Sequence, residues 1–145
     1  MSRLSLLMFV GLAALACVLQ GEAKTFNRCE LAKELKKQGF AKENLPDWVC
    51  LVEAESSRRS HKIGKVNKNG SQDFGLFQIN DRYWCQRGSA GKDCNVSCED
   101  LLTDDISVAS RCAQKVYKRH KFDAWYGWKN KCQGSLPDLS SCGIE

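Results

Sequence analysis

The sequence predicts an α+β protein, helical for most of its length, with one inserted antiparallel β region and four disulfides. Three observations predict it. Apolar residues recur at helical spacing behind cap residues on both sides of the middle of the chain. Residues 62–84 carry a turn signal flanked by β-compatible residues. Nine cysteines are present, and all but one lie beyond the N-terminal segment.

That segment, Met1 to Ala23, has one arginine at Arg3, an apolar run from Leu4 to Leu19 and a small-residue end, Gly21-Glu22-Ala23. Charge, length and cleavage site read as a secretory signal peptide. A membrane anchor is the competing reading, but Ser5 and Gly11 interrupt the run, which falls short of the roughly 20 apolar residues of a span. Cleavage after Ala23 leaves residues 24–145 as a single domain in an extracellular setting. Cys17 leaves with the segment. Cys29, Cys50, Cys85, Cys94, Cys98, Cys112, Cys132 and Cys142 then read as four disulfides, in any of about 105 pairings. The chain has no CxxC pair, and His61 and His120 stand outside ligand spacing, so no metal site and no cofactor is expected.

Asn27 caps a first helix, Glu30 supplies the box acid, Leu31 and Leu35 lie one turn apart, and Gly39 stops it. A second start is Asn44, with Pro46 in the first turn and Asp47 as box acid, leading through Trp48-Val49-Cys50-Leu51-Val52 to Ser56 or Ser57. Asn67-Lys68-Asn69-Gly70 then predicts a turn between Ile63 and Val66 on one side and Phe74, Leu76, Phe77 and Ile79 on the other, hence a small antiparallel sheet. From Arg87 to Asp100, Gly, Ser, Asp and Cys predominate, and such a loop leans on its cysteines for shape. Asp104 is the expected cap of a third helix, with Ile106, Ala109, Ala113 and Val116 on one face and Lys115, Lys118 and Arg119 favourably near its end. Phe122 to Lys131, with Trp125, Trp128 and Cys132 at i, i+3 and i+7, predicts a short fourth helix ended by Gly134 and Pro137.

At about 100° per residue, Glu55 falls about 20° from Trp48 on the second helix, on its apolar face, whereas Glu53 falls about 140° away. Partial burial disfavours the carboxylate, so Glu55 is a candidate general acid of raised pKa. A helix-end glutamate reaching to water is the bland alternative. Asp73 follows the Asn69-Gly70 turn among polar neighbours suited to an ionised carboxylate, although aspartates beside turns are common for local hydrogen-bonding reasons. As a pair they fit glycoside hydrolysis, in which an acid of raised pKa and an ionised carboxylate flank the scissile bond. Tyr83, Trp84 and Trp125 offer faces to sugars, and Gln78 and Asn80 offer amides to hydroxyl and N-acetyl groups. Trp48 and Trp128 read as core. No GxSxG elbow, Walker loop, GxGxxG fingerprint or HExxH helix occurs, and both histidines read as solvated surface. The formal net charge of +5 favours anionic partners without choosing among them.

Lys24-Thr-Phe-Asn-Arg-Cys-Glu-Leu-Ala, Trp48-Val-Cys, Glu55-Ser, Gly70-Ser-Gln-Asp-Phe-Gly-Leu-Phe-Gln-Ile-Asn80, Tyr83-Trp-Cys and Ala124-Trp125 together resemble the c-type lysozymes, from Lys24 to about Cys142. The short loop before Asn44 and the stretch from Tyr117 to Trp128 resemble the insect branch. The resemblance implies a helical lobe and a β lobe closed around a cleft. It places Glu55 as general acid, Asp73 as nucleophile or stabiliser, and Gln78, Asn80, Tyr83, Trp84 and Trp125 along the sugar cleft, with Trp125 as the wall that desolvates Glu55. It pairs Cys29 with Cys142, Cys50 with Cys132, Cys85 with Cys98 and Cys94 with Cys112. The implied reaction is retaining hydrolysis of the β-1,4 bond between N-acetylmuramic acid and N-acetylglucosamine. The implied partners are bacterial peptidoglycan and anionic bacterial surfaces, with no nucleic acid, no obligate protein partner and a monomeric state. Tyr83 stands where many members carry tryptophan, which keeps stacking and alters binding at one subsite. Val108 and Ala109 fall where calcium-binding relatives place carboxylates, so no calcium requirement is expected. Rival readings are a non-catalytic binding relative on the same fold and a cationic, membrane-active antimicrobial.

Overall fold

A computed structural model describes residues 24–145; the expected signal segment, residues 1–23, lies outside them. The first helix, α1 (Arg28–Lys37), starts where Asn27 accepts a hydrogen bond from the Glu30 backbone N–H at 2.8 Å. Leu31, Ala32 and Leu35 form its buried face. The carboxylate of Glu30 pairs with Lys24 at 3.9 Å instead of closing a capping box. Gly39, at φ +93°, takes the left-handed turn that ends the helix.

A 3₁₀ turn at Lys42–Asn44 leads into α2 (Leu45–Ser56). Here the expected cap is absent: the side chain of Asn44 makes no cap bond, and the Asp47 carboxylate accepts from Trp128 Nε1 at 3.0 Å. Side-chain capping is less needed in a helix held by packing, and Leu45, Trp48, Val49, Cys50, Leu51 and Val52 are all buried. Trp48 is the hub of the core, with the rings of Phe40, Phe77, Tyr117, Phe122 and Trp125 packed around it at centroid distances of 4.7, 6.0, 5.4, 5.0 and 5.4 Å.

The β region is smaller than the sequence suggests. Strands β1 (Asp73–Phe74) and β2 (Ile79–Asn80) pair antiparallel, Asp73 opposite Asn80 and Phe74 opposite Ile79. Across the Asn67–Gly70 turn there is a single bridge, Ile63 to Phe74. Ile63 and Val66 are exposed, so burial does not reward a longer strand there. The following loop is stapled by Cys85–Cys98 and Cys94–Cys112, while Cys50–Cys132 and Cys29–Cys142 tie the helices and the C-terminal segment together.

The third helix, α3 (Ser107–His120), begins three residues beyond the expected cap. The carboxylate of Asp104 is occupied elsewhere, by His61 Nε2 at 2.9 Å and by Ser60 Oγ and the Lys24 backbone N–H, both at 3.2 Å. The Ser107 N–H is taken by Asp105 Oδ1 at 2.9 Å. Ile106, Ala109, Ala113 and Val116 are buried, as their spacing requires. The predicted helix from Phe122 to Lys131 is broken at Trp125: a 3₁₀ turn, Lys121–Ala124, precedes α4 (Tyr126–Lys131). Trp125 is extended, at φ −107° and ψ 116°, and its indole N–H donates to the Phe77 carbonyl at 2.8 Å. That long-range bond fixes the ring at the junction of helices and hairpin.

Candidate active site

A cleft of about 490 Å³ runs between the hairpin segment and the helices. Its walls include Glu55 from the end of α2, Asp73, Gln78 and Asn80 from the hairpin, Tyr83 and Trp84 from the loop beyond, and Trp125 from the junction before α4. All seven residues singled out in the sequence line this one space.

Glu55 is next to last in α2, on the side of Trp48, and partly buried. Loss of water around its carboxyl pushes the pKa up, and the negative charge of Asp73 adds to the rise. Two contacts oppose it: the Gly127 N–H donates to Oε1 at 2.9 Å, and the ammonium of Lys62 lies close enough to favour the carboxylate. The outcome is a raised pKa, with burial the dominant cause. A Cβ on Gly127 would stand 2.6 Å from Glu55 Oε1, so the absence of a side chain lets the acid lie there. Glu53, on the opposite side of the helix, is not simply solvated; Arg28 at 3.1 Å and Arg58 at 3.4 Å hold it.

Asp73 lies in a polar setting. Asn80 Nδ2 donates to its Oδ1 at 2.9 Å across the strand pair, and Asn67 Nδ2 approaches its Oδ2 at 3.4 Å. Ser71 Oγ accepts from Asn67 and Asn80 at 3.1 and 2.9 Å, which fixes both amides. Asn80 is therefore committed to its neighbours: its carbonyl oxygen also accepts the Arg82 N–H at 2.8 Å. The amide nitrogen of Gln78 likewise donates to the carbonyls of Lys62 and Gly75, at 3.1 and 2.9 Å. The sequence assigned both amides to sugars; in the structure they shape the hairpin first.

The aromatic residues differ in what they present. Tyr83 is exposed, with Arg82 over its ring at 5.3 Å. Trp84 is largely buried between Arg119, 5.1 Å from its ring, and the edge of His120 at 6.0 Å. Trp125 is 4% exposed and serves as wall more than platform. Asn67, Ser71 and His120 also line the cleft, a place the sequence did not give them: Asn67 read as a turn residue and His120 as solvated surface. Asn67 stands in the turn motif itself, but nothing local marks a turn asparagine as partner of a carboxylate. His120 is surface-exposed as expected, yet it faces the cleft. Among the described residues no group of three or more His, Cys, Asp or Glu is placed to hold a metal ion.

The model of the C-type lysozyme/alpha-lactalbumin family matches residues 24–142. A lysozyme of Hyalophora cecropia is 65% identical over 132 residues, covering 90% of this chain and 95% of the relative. One from Bombyx mori is 68% identical over 122 residues, 83% and 88% of the two chains. One from Galleria mellonella is 65% identical over 121 residues, 82% of this chain and the whole of the relative. With that coverage and that identity to insect proteins, the chain belongs to the C-type lysozyme/alpha-lactalbumin family, in its insect branch.

Proposed function

We propose that the protein is a muramidase that hydrolyses the β-1,4 bond between N-acetylmuramic acid and N-acetylglucosamine in bacterial peptidoglycan, with retention at the anomeric carbon. The observation that carries the reading is the contrast between two carboxyl groups in one cleft. Glu55 is desolvated and proton-retaining; Asp73 is held by amide donors. Lysozymes are the type case of this division of labour.

In the proposed reaction Glu55 protonates the leaving oxygen while Asp73 meets the oxocarbenium-like centre from the other side. Glu55, now ionised, takes a proton from water, and the water releases the bound sugar. The Gly127 N–H can donate to Glu55 in both states, more strongly to the carboxylate that forms once the proton has been given up. Tyr83 offers the accessible aromatic face, and Trp84 and Trp125 form the apolar wall. Four disulfides suit an oxidising compartment, and with them we infer that residues 1–23 are a leader and that residues 24–145 are secreted and act as a monomer. Exposed Lys115, Lys118, Arg119 and Lys121 supply a basic face for anionic bacterial surfaces.

Clearing of a peptidoglycan suspension by wild type, Glu55→Gln and Asp73→Asn tests the assignment, with the anomer formed read by proton NMR. Wild type is expected to clear and to yield the retained anomer, and both variants to be severely impaired. Clearing by Glu55→Gln at the wild-type rate would remove Glu55 as the acid, and an inverted first product would remove Asp73 as the nucleophile.

A further inference from the structure

The last turn of α2 contains no basic residue, although a helix end carries free carbonyls and partial negative charge. The missing cation comes from the next segment. Lys62 Nζ donates to the backbone carbonyl of Glu55 at 2.8 Å. The same residue is tied to the hairpin through its own carbonyl, which accepts from the Gly75 N–H at 2.7 Å and from Gln78 Nε2 at 3.1 Å. Two residues on, the Gly64 N–H donates to the carbonyl of Asp73 at 2.9 Å. The stretch from Lys62 to Gly64 therefore grips the backbones of both cleft carboxylates, one through a side chain and the other through the main chain.

We propose that Lys62 is a positioning residue for the reaction, a strut that holds the Glu55 end of α2 against the hairpin carrying Asp73. The inference rests on the reading of Glu55 as general acid. The strut has an electrostatic consequence. Titratable groups reach the cleft from every side of Glu55: Asp73 from the hairpin, Tyr83 from the loop beyond it, His120 from α3 and Tyr126 from α4. Of the charges that act on Glu55, Asp73 opposes its ionisation and Lys62 favours it. Loss of the Lys62 charge leaves Glu55 protonated to higher pH, so the alkaline limb of activity moves upward.

The test is the pH dependence of kcat and KM for Lys62→Met and Lys62→Arg, on a soluble peptidoglycan fragment. The methionine variant is expected to lose about tenfold in kcat with KM nearly unchanged, as for a group that acts on the transition state alone. Its alkaline limb is expected to move up, and the arginine variant to restore most of the turnover and the wild-type limb. Unchanged kcat in Lys62→Met overturns the proposal. So does a lowered kcat with an unmoved limb, the mark of a purely structural role, or an arginine variant as impaired as the methionine one. Should Lys62→Met not fold, Lys62→Gln decides by the same two readings: a lowered kcat together with an upward limb supports the strut, and an unchanged kcat or an unmoved limb overturns it. An active Glu55→Gln would instead sink the underlying reading of the acid, so the two failures are distinguishable.

Discussion

At the scale of single residues, the cleft depends on how Glu55 and Asp73 are solvated. Burial works against the charged form of Glu55, and the Gly127 N–H and Lys62 only partly offset it. Because the folded chain holds this proton more tightly than the unfolded chain, Glu55 contributes stability at acid pH that is lost as pH rises through its raised pKa. Glu55→Gln, which cannot ionise, is therefore expected to melt close to wild type at about pH 4 and a few degrees above it at about pH 8, measured by calorimetry at both pH values. The same substitution is expected to cost about 100-fold or more in activity, the usual contribution of a positioned general acid. A melting difference that does not change with pH would mean that Glu55 is not desolvated in solution. For Asp73 the lever is Asn80. Asn80→Ala removes a hydrogen bond to a carboxylate, worth about 1.5–3 kcal/mol, so kcat/KM is expected to fall about 10- to 100-fold. Steady-state rates on a defined oligosaccharide would show it, and a wild-type value would leave Asn80 without a part in orienting Asp73. Helical spacing sufficed to bring Glu55 to the apolar side of α2. The Gly127 partner of Glu55 was not legible, because it lies 72 positions away and meets Glu55 only through packing of α4 on α2, whereas Asn67 and Asn80 stand close to Asp73 in the chain and only their pairing with it was hidden.

At the scale of elements, legibility followed the kind of force that builds each one. α1 and α3 are amphipathic, with one buried face each, and their apolar spacing shows in the sequence. The start of α3 was displaced because Asp104 finds His61, Ser60 and Lys24, far away in the chain. The break at Trp125 was hidden for the same reason, since its cause is the carbonyl of Phe77. In the hairpin, Asn67–Gly70 was readable as a turn, but the tighter turn from Gly75 to Gln78 was not, and it is the one that sets β1 against β2. Gly75 is the hinge there. Its φ is +80°, and a Cβ would collide with the backbone carbonyl of Leu101. Gly70 has a similar φ, +84°, with open space around it. The comparison separates backbone strain from collision. Gly70→Ala is expected to cost about 1 kcal/mol. Gly75→Ala adds displacement of the Leu101 segment, for about 3 kcal/mol or more in all. Urea unfolding of the two variants measures the gap, and equal losses would show that the Leu101 segment yields freely.

At the scale of the whole molecule, four crosslinks enclose a cleft whose walls come from α2, α4 and the hairpin, and their nesting decides what each contributes. Cys29–Cys142 spans 113 positions and Cys50–Cys132 spans 82, the second lying inside the first. Taken alone, a loop of that larger size restrains the unfolded chain by about 5 kcal/mol. With Cys50–Cys132 in place, the unfolded chain already has a short cut. The added loop runs only from Cys29 to Cys50 and from Cys132 back to Cys142, about 30 residues, for which the same relation gives about 3.7 kcal/mol. Replacing Cys29 and Cys142 by alanine is thus expected to cost less in the natural background than in one that already lacks Cys50–Cys132, by about 1 kcal/mol. Urea unfolding of the four proteins in this cycle gives the coupling directly. The order of the losses matters, because contacts broken in the folded state act the other way. Lys36 Nζ binds the carbonyl of Ile144 at 2.7 Å, and Leu139 is buried in the core, so the C-terminal segment has anchors of its own. If the stabilisation came from holding that segment in place, removing the inner disulfide would loosen the surroundings and make the outer one worth less, not more. A larger loss in the background lacking Cys50–Cys132 therefore assigns the effect to the unfolded chain, and a smaller one assigns it to the packing of residues 133–145.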